Sequence, residues 1–419
     1  MVKPVGARCN MACRYCYYLE KARLYDEVPS HVMTEEVLEE YIRQYIQSQM
    51  TPEVLFTWHG GETFMRPLSF YQRAMKLQSY YAEGRQISNC IQTNGTLLTP
   101  EWCKFLHDSQ WLVGVSIDGP QEFHDEYRRT RQGKPSWAKV MHGIDMLNKY
   151  GVEWNAMAVV NDFNADYPLD FYRFFRDELN CHYLQFTPIV ERLKTTGQQV
   201  SWSTGSSTDA VAPLSLAKRN GRGGGEGLLL ANLGDTEATL APFSVTPRQW
   251  GNFLCTIFDE WVKRDVGEYF VQLFDATLAN WMGVAPGVCT MAKDCGHAAV
   301  MEFNGDVYSC DHFVFPEYKL GNIRQQTIFQ LMNSPQQQDF ARIKQGWLPN
   351  QCRECEWLFA CNGECPRNRF THTATGEPHL NYLCEGYRQF FRHVAPYMDF
   401  MKQELLTERP PSNVMNFRS

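Results

Sequence analysis

Five short apolar runs, separated from one another by helical patterns, constrain this chain more than any other feature. They are VLFTWHGG from Val54, SNCIQTNG from Ser88, WLVGVSIDG from Trp111, VEWNAMAVV from Val152 and YLQFTPIV from Tyr183. Runs of this length that close on glycine, asparagine or aspartate read as buried strands. Between them lie amphipathic stretches such as TEEVLEEYIRQYIQSQM, where Thr34 is placed to cap a helix whose first turn is acidic. Strand-helix alternation predicts an α/β fold around a parallel sheet, either open or curled toward a barrel. In both layouts ligands collect at the C-terminal strand ends, where the polar residues of these runs are found.

Composition narrows the class. With 44% hydrophobic and 21% charged residues and a net charge of -7, the chain reads as a soluble globular protein without a nucleic-acid footprint. No apolar stretch reaches the length of a membrane span, no polybasic run suits a membrane surface, and MVKPVGARC lacks the features of a signal peptide. A cytoplasmic location follows as the expectation. In that compartment the 15 cysteines are expected to serve metal binding or catalysis rather than disulfides. Cys90, Cys103, Cys181 and Cys255 are scattered and read as buried apolar residues.

Beyond Lys194 the pattern breaks. The segment of about 194–241, with SWSTGSSTDAVAP and KRNGRGGGEG, is rich in Ser, Thr and Gly and reads as a surface loop or insertion. Helical patterns resume at Thr246–Arg264 and Tyr269–Met282. The chain closes on a long helix, LCEGYRQFFRHVAPYMDFMKQELL, expected to bend or break near Pro396. The expected divisions are 1–245, a helical connection over 246–288, a cysteine-rich unit over 289–384, and a C-terminal helix and tail over 385–419.

The remaining cysteines fall at the two ends. Cys9, Cys13 and Cys16 have the spacing Cys-x3-Cys-x2-Cys, an odd set for zinc or for disulfides. An iron-sulfur cube explains it: three thiolates hold three irons and leave the fourth iron free for a substrate or cofactor. Zinc with a distant fourth ligand, or coincidence, remains the alternative for this motif alone. Tyr15 and Tyr17 flank Cys16 and would help to keep water from the cluster. At the other end, Cys289-x5-Cys295-x14-Cys310 is followed by Cys352-x2-Cys355-x5-Cys361-x3-Cys365-x18-Cys384. Eight thiols suit two zincs or two cubes, and the front motif favours iron.

Taken together, the three-cysteine loop, His59-Gly60-Gly61-Glu62, Asn94-Gly95, and Ser116 with Asp118 resemble the radical S-adenosylmethionine (SAM) family. With Gly321 in KLGNI after Cys310, the later cysteines look like the SPASM extension of its peptide-modifying members. Along nearly the whole chain, from VKPVGARCNMACRYCYYLEK through QTNGTLL, VGVSIDGP and YSCDHFV to NYLCEGYRQFF, the sequence is most similar to the anaerobic sulfatase-maturating enzymes. The resemblance implies a partial (β/α)6 radical SAM barrel followed by a smaller SPASM domain, with three [4Fe-4S] clusters and SAM as cofactors. It implies that Cys9, Cys13 and Cys16 hold the SAM-cleaving cluster. One auxiliary cluster would take Cys289, Cys295, Cys310 and Cys365, and the other Cys352, Cys355, Cys361 and Cys384. Tyr15, Gly61, Ser116, Arg128 and Val190 would surround SAM, the GGE stretch would hold its amino group, and Asp311 would be the proton acceptor.

The implied reaction is oxidation of a Cys or Ser to Cα-formylglycine in an unfolded sulfatase segment of the type Cys/Ser-x-Pro-x-Arg. A 5′-deoxyadenosyl radical would start it, and a low-potential donor such as flavodoxin or ferredoxin would supply the electron. Other SPASM peptide modifiers, which form thioether or carbon-carbon crosslinks, share the cluster motifs, and a zinc-binding adaptor is the non-enzymatic alternative. Thr63 stands where the family often has Pro, and His59 where some members carry Gln. The chain begins so close to Cys9 that little first strand is expected.

Overall fold

A computed structural model describes residues 1–25, 27, 30–194 and 238–417. The strands in chain order are β1 (Glu53–Trp58), β2 (Gln86–Thr93), β3 (Leu112–Ser116), β4 (Trp154–Val160), β5 (Tyr183–Pro188), β6 (Arg192–Lys194), β7 (Ala238–Leu240), β8 (Phe270–Val271), β9 (Val300–Met301), β10 (Asp306–Tyr308) and β11 (Lys319–Asn322). Six of them form one sheet in the order β1-β2-β3-β4-β5-β8, every neighbouring pair parallel. The sheet is an open partial barrel. The five apolar runs are its first five strands.

The sixth strand corrects the sequence reading. Phe270 and Val271 pair with Tyr183 and Leu184 inside the span expected to be a helical connection, and the helix there begins only at Gln272. The expected first strand is reduced to one residue. Val2 makes parallel bridges to both Trp58 and Met301, so it joins the outer edge of the large sheet to the small antiparallel sheet β11-β10-β9. This bridge carries the N-terminal segment directly between the two cysteine-bearing halves.

Local chemistry places the helices. Thr34 accepts from the Val37 N–H at the start of Glu35–Ser48, and Thr246 forms a capping box with Gln249 at the start of Pro247–Arg264. The last helix, Cys384–Leu406, runs through Pro396 without interruption. It lies directly on Pro247–Arg264: a Cβ on Gly386 would fall 2.2 Å from the Pro247 carbonyl oxygen, and one on Gly251 would fall 2.9 Å from Gly386 Cα. Only glycines permit this approach, which ties the second cysteine group to the barrel.

The core lies between sheet and helices, where Trp58, Trp111 and Tyr71 are fully buried and pack ring against ring. The long insertion falls mainly outside the described residues; its flanks, β6 and β7, pair antiparallel. Among the scattered cysteines, Cys103, Cys181 and Cys255 are buried as expected. Cys90 is only half-buried and donates its thiol to Thr57 Oγ1.

Candidate active site

The three-cysteine loop is strapped across the C-terminal ends of the strands by its own backbone. Gly61 and Glu62 after β1 donate their N–H groups to the carbonyls of Gly6 and Arg8, each at 2.8 Å. After β2, Asn94 Nδ2 donates to Asn10 Oδ1, which belongs to a side chain that in turn donates to Thr96 Oγ1. After β3, the carbonyls of Arg129 and Tyr127 accept from Ala12 and Arg14. A Cβ on Gly61 would lie 1.9 Å from the Arg8 carbonyl oxygen. The glycine therefore serves first to admit the cysteine loop. Glu62, fully buried, accepts from Asn94 N, Thr93 Oγ1 and Phe64 N, and so locks the end of β1 to the end of β2.

The loop holds its thiols in a largely apolar wall that includes Met11, Tyr15, Ile189, Leu193 and Phe243. Burial pushes the thiols of Cys9 and Cys16 up to about 12, and raises Cys13. Bare thiolates are disfavoured there, and a cationic iron core bound by them reverses that preference. Met11 N–H and Asn94 Nδ2 already point at Cys9 Sγ. The donor set fits a cluster.

Of the residues expected around SAM, Tyr15 and Arg128 meet in one buried network. Tyr15 donates to Asp118 Oδ2 (2.5 Å), Arg128 Nη1 donates to the Tyr15 hydroxyl (3.0 Å), and Asp118 Oδ1 accepts from Val159 N. Burial works against the Arg128 charge, but Tyr15, Cys13 and Asp118 more than offset it. Arg128 Nε is buried without a partner. An orphaned guanidinium donor beside the cysteine loop suits a ligand that carries a carboxylate. Ser116 stands at the end of β3 and accepts from Gln92, while Val190 is buried in the turn after β5.

Asp311 lies against the same loop. Tyr17 and Tyr18, the two residues after Cys16, both donate to its Oδ2, at 2.6 and 2.5 Å. Lys3 Nζ is ion-paired with Oδ1 at 2.6 Å and with Glu302 Oε1 at 3.0 Å. Oδ1 thus faces the Lys3 ammonium, while Oδ2 is held by the two tyrosine hydroxyls. Burial would raise this carboxyl, yet Lys3 and Lys21 hold it well below the usual range. Burial also lowers Lys21 to about 7, and its Nζ donates to the Asp311 carbonyl. Nearby, His59 Nδ1 lies 3.1 Å from the Tyr18 hydroxyl, and Arg367 is ion-paired with Glu191 while facing the Tyr17 ring. Sequence reasoning missed Lys3, Tyr18 and Glu302, named Asp118 without giving it a role, and took Tyr17 only as packing.

The later cysteines form two groups. Cys352, Cys355, Cys361 and Cys384 line one cavity with Trp357, Tyr387 and Phe391. Cys365 feels the charges of Cys310 and Cys295, and both of these feel Cys289. Among the described residues, no three metal-ligating side chains converge as the ligands of one ion would. Thiols spread around a cavity fit a cube better than a single tetrahedral zinc.

Comparison with known proteins agrees with this geometry. The model of the radical SAM superfamily matches residues 4–175, and that of an iron-sulfur cluster-binding domain (SPASM) matches 294–356. The chain is 65% identical to the serine-type anaerobic sulfatase-maturating enzyme of Bacteroides thetaiotaomicron, over 99% of this chain and 94% of the relative. It is 28% identical to the cysteine-type anaerobic sulfatase-maturating enzyme of Clostridium novyi, over 97% of each chain. A solved structure, native anSMEcpe with bound AdoMet and Cp18Cys peptide, superposes with a TM-score of 0.77 at 26% identity, over 96% of this chain and 98% of that one. The chain belongs to the anaerobic sulfatase-maturating enzymes, radical SAM oxidoreductases that carry a SPASM domain and use SAM with three [4Fe-4S] clusters.

Proposed function

We propose that this enzyme oxidises a serine to Cα-formylglycine within an unfolded sulfatase segment of the type Ser-x-Pro-x-Arg, with Asp311 as the proton acceptor. The serine preference is supported by the 65% identical relative, which is serine-type, whereas cysteine-type relatives stand near 28%. One structural observation carries the reading: the loop with Cys9, Cys13 and Cys16 touches Asp311 through its next two residues, Tyr17 and Tyr18.

When bound, SAM and the clusters supply a carbon-centred radical that takes a hydrogen atom from the serine β-carbon, and a sink for the second electron. The chain's own residues do the rest. Cys9, Cys13 and Cys16 hold the SAM-cleaving cluster, and Tyr15, Gly61, Ser116, Arg128 and Val190 surround SAM. Cys289, Cys295, Cys310 and Cys365 hold one auxiliary cluster; Cys352, Cys355, Cys361 and Cys384 hold the other. Loss of the β-hydrogen makes the neighbouring hydroxyl far more acidic, so a carboxylate of low basicity suffices as acceptor. Asp311 Oδ1 meets the Lys3 ammonium, while both tyrosines donate to Oδ2 and fix the carboxylate plane. Lys3 pairs with both Asp311 and Glu302 and keeps Asp311 ionised, the form that can accept a proton.

A low-potential flavodoxin or ferredoxin as donor and a cytoplasmic setting complete the proposal. No described helix is long and apolar enough to cross a membrane. The test is anaerobic incubation with SAM, reductant, and matched serine and cysteine peptides. Loss of H2 in mass from the serine peptide, faster than conversion of the cysteine peptide, is expected. 5′-Deoxyadenosine with both peptides unaltered would overturn the assignment.

A further inference from the structure

Two cations are buried among the auxiliary cysteines with only main-chain carbonyls as hydrogen-bond partners. Lys344 is fully buried and gives Nζ to the carbonyls of Cys289 (2.7 Å) and Thr290 (2.8 Å). Arg369 is 2% exposed. Its Nε donates to the carbonyl of Gly363 (2.7 Å), Nη1 to that of Lys344 (2.6 Å), and Nη2 to those of Asn362 (3.1 Å) and Glu364 (3.2 Å). The carboxylate of Glu364, itself buried, accepts at Oε2 from the amides of Asn368 (3.1 Å) and Asn381 (2.5 Å) and makes no ion pair with either cation. The backbone is shaped for the guanidinium: Gly363 has φ +72°, and a Cβ on it would fall 2.3 Å from Arg369 Nη2.

A buried charge without a counter-ion costs several kcal/mol, and carbonyl dipoles offset only part of that. The missing anions are close by. Lys344 feels Cys295, Cys365, Glu364 and Cys289, whereas Arg369 feels Glu364 first and then Cys361, Cys352 and Cys365; one carboxylate cannot balance both cations, and the thiols come from both groups. A cube held by four thiolates is anionic, because the thiolate charges exceed that of its core. We propose that Lys344 and Arg369 are the counter-charges of the auxiliary clusters: Lys344 serves the Cys289/Cys295/Cys310/Cys365 cluster, and Arg369 lies between the two clusters and sets both reduction potentials. The inference rests on the ligand sets proposed above. Reduction adds negative charge to a cluster, so a fixed neighbouring cation makes each one easier to reduce. By facing both, Arg369 also eases reduction of one cluster while the other is already reduced.

The test is a redox titration of the anaerobically reconstituted full-length holoenzyme, followed by electron paramagnetic resonance, with SAM added to set the front cluster's signal apart. Arg369→Gln is expected to lower both auxiliary midpoint potentials, cutting the reduced-to-oxidised ratio at a fixed poise about tenfold, a shift of about 59 mV for a one-electron couple. Lys344→Met is expected to lower only the potential of the cluster that includes Cys289. Arg369→Lys keeps the charge without the four-carbonyl fork and should restore most of the lost potential. Wild-type potentials in Arg369→Gln and Lys344→Met at full iron content would overturn the proposal, as would an Arg369→Lys protein as low as Arg369→Gln. Should Arg369→Gln shed a cluster, Lys344→Met and Arg369→Lys decide the matter. Iron and sulfide counts on Cys289→Ala and Cys352→Ala test the ligand sets separately. Each should lose one cube, and an unchanged count would refute those sets rather than the role of the cations.

Discussion

Replacing Lys3 with methionine keeps the length of the side chain and removes its charge from a site that has no exposed surface. The ammonium stands 2.6 Å from Asp311 Oδ1 and 3.0 Å from Glu302 Oε1, and 4.4 Å from the centre of the Tyr18 ring. At an effective dielectric of about 20, each ion contact is worth about 6 kcal/mol before the cost of desolvation is taken off. Breaking a buried pair by removing one partner typically costs about 3–5 kcal/mol, because the remaining charge stays buried. With an unfolding entropy of about 2.1 cal/mol/K per residue over 419 residues, that loss lowers Tm by roughly 3–6 °C. Differential scanning calorimetry under anaerobic conditions, at matched cluster content, reads the shift. Adding Glu302→Gln should return part of it, since one of the two stranded carboxylates is then neutral. Formylglycine production should fall as Asp311 loses its anchor, while SAM cleavage continues. A Tm within 1 °C of the parent together with an unchanged peptide oxidation rate would refute the reasoning.

Gly61→Ala places a methyl group against the Arg8 carbonyl and should displace the front loop. Iron content should drop by roughly four atoms per chain while the auxiliary clusters remain; full iron retention would contradict the strapping role of Gly61. Arg128→Lys removes the guanidinium fork that bonds Tyr15 and leaves Nε free for a ligand carboxylate. SAM affinity should weaken about 10–100-fold, the worth of one or two charged hydrogen bonds, as measured by anaerobic titration calorimetry. Gly386→Ala drives a methyl into the Pro247 carbonyl at the contact between the last helix and the barrel. It should lower Tm by about 1–3 °C, through overpacking of about 1–3 kcal/mol, more than an exposed glycine such as Gly346 would.

Much of this architecture can be read from local sequence. The first five strands announce themselves because each is a short run rich in apolar residues and set between helical patterns, and burial alternates along β1, β2, β4 and β5 as one face turns to the core. Phe270 and Val271 escape notice because two residues carry no period, and their place in the sheet depends on pairing with Tyr183 and Leu184 far back in the chain. The helix cap at Thr34 is visible because a hydroxyl and acidic residues precede an apolar run within one turn, whereas the capping box of Thr246 and Gln249 emerges only in the structure. The cysteines could be read because thiol spacing has few other uses in a chain of this kind. Asp311 stood out only through its neighbour Cys310. Its environment was hidden because Lys3, Tyr17 and Tyr18 lie 293 or more residues away, and no local pattern records an ion pair of that reach. His59, placed at a strand end by the sequence, proves to be bonded to Tyr18 and to the Gly60 N–H.

Asp311→Asn decides whether the acceptor and the cysteine loop form one site. The amide keeps size and shape but cannot take the proton, so the holoenzyme should retain its iron and cleave SAM at close to the parent rate. Formylglycine from a serine peptide should meanwhile fall at least 100-fold, the lower bound for losing a positioned base. Peptide oxidation at the parent rate by that variant would remove Asp311 from the chemistry and contradict the account.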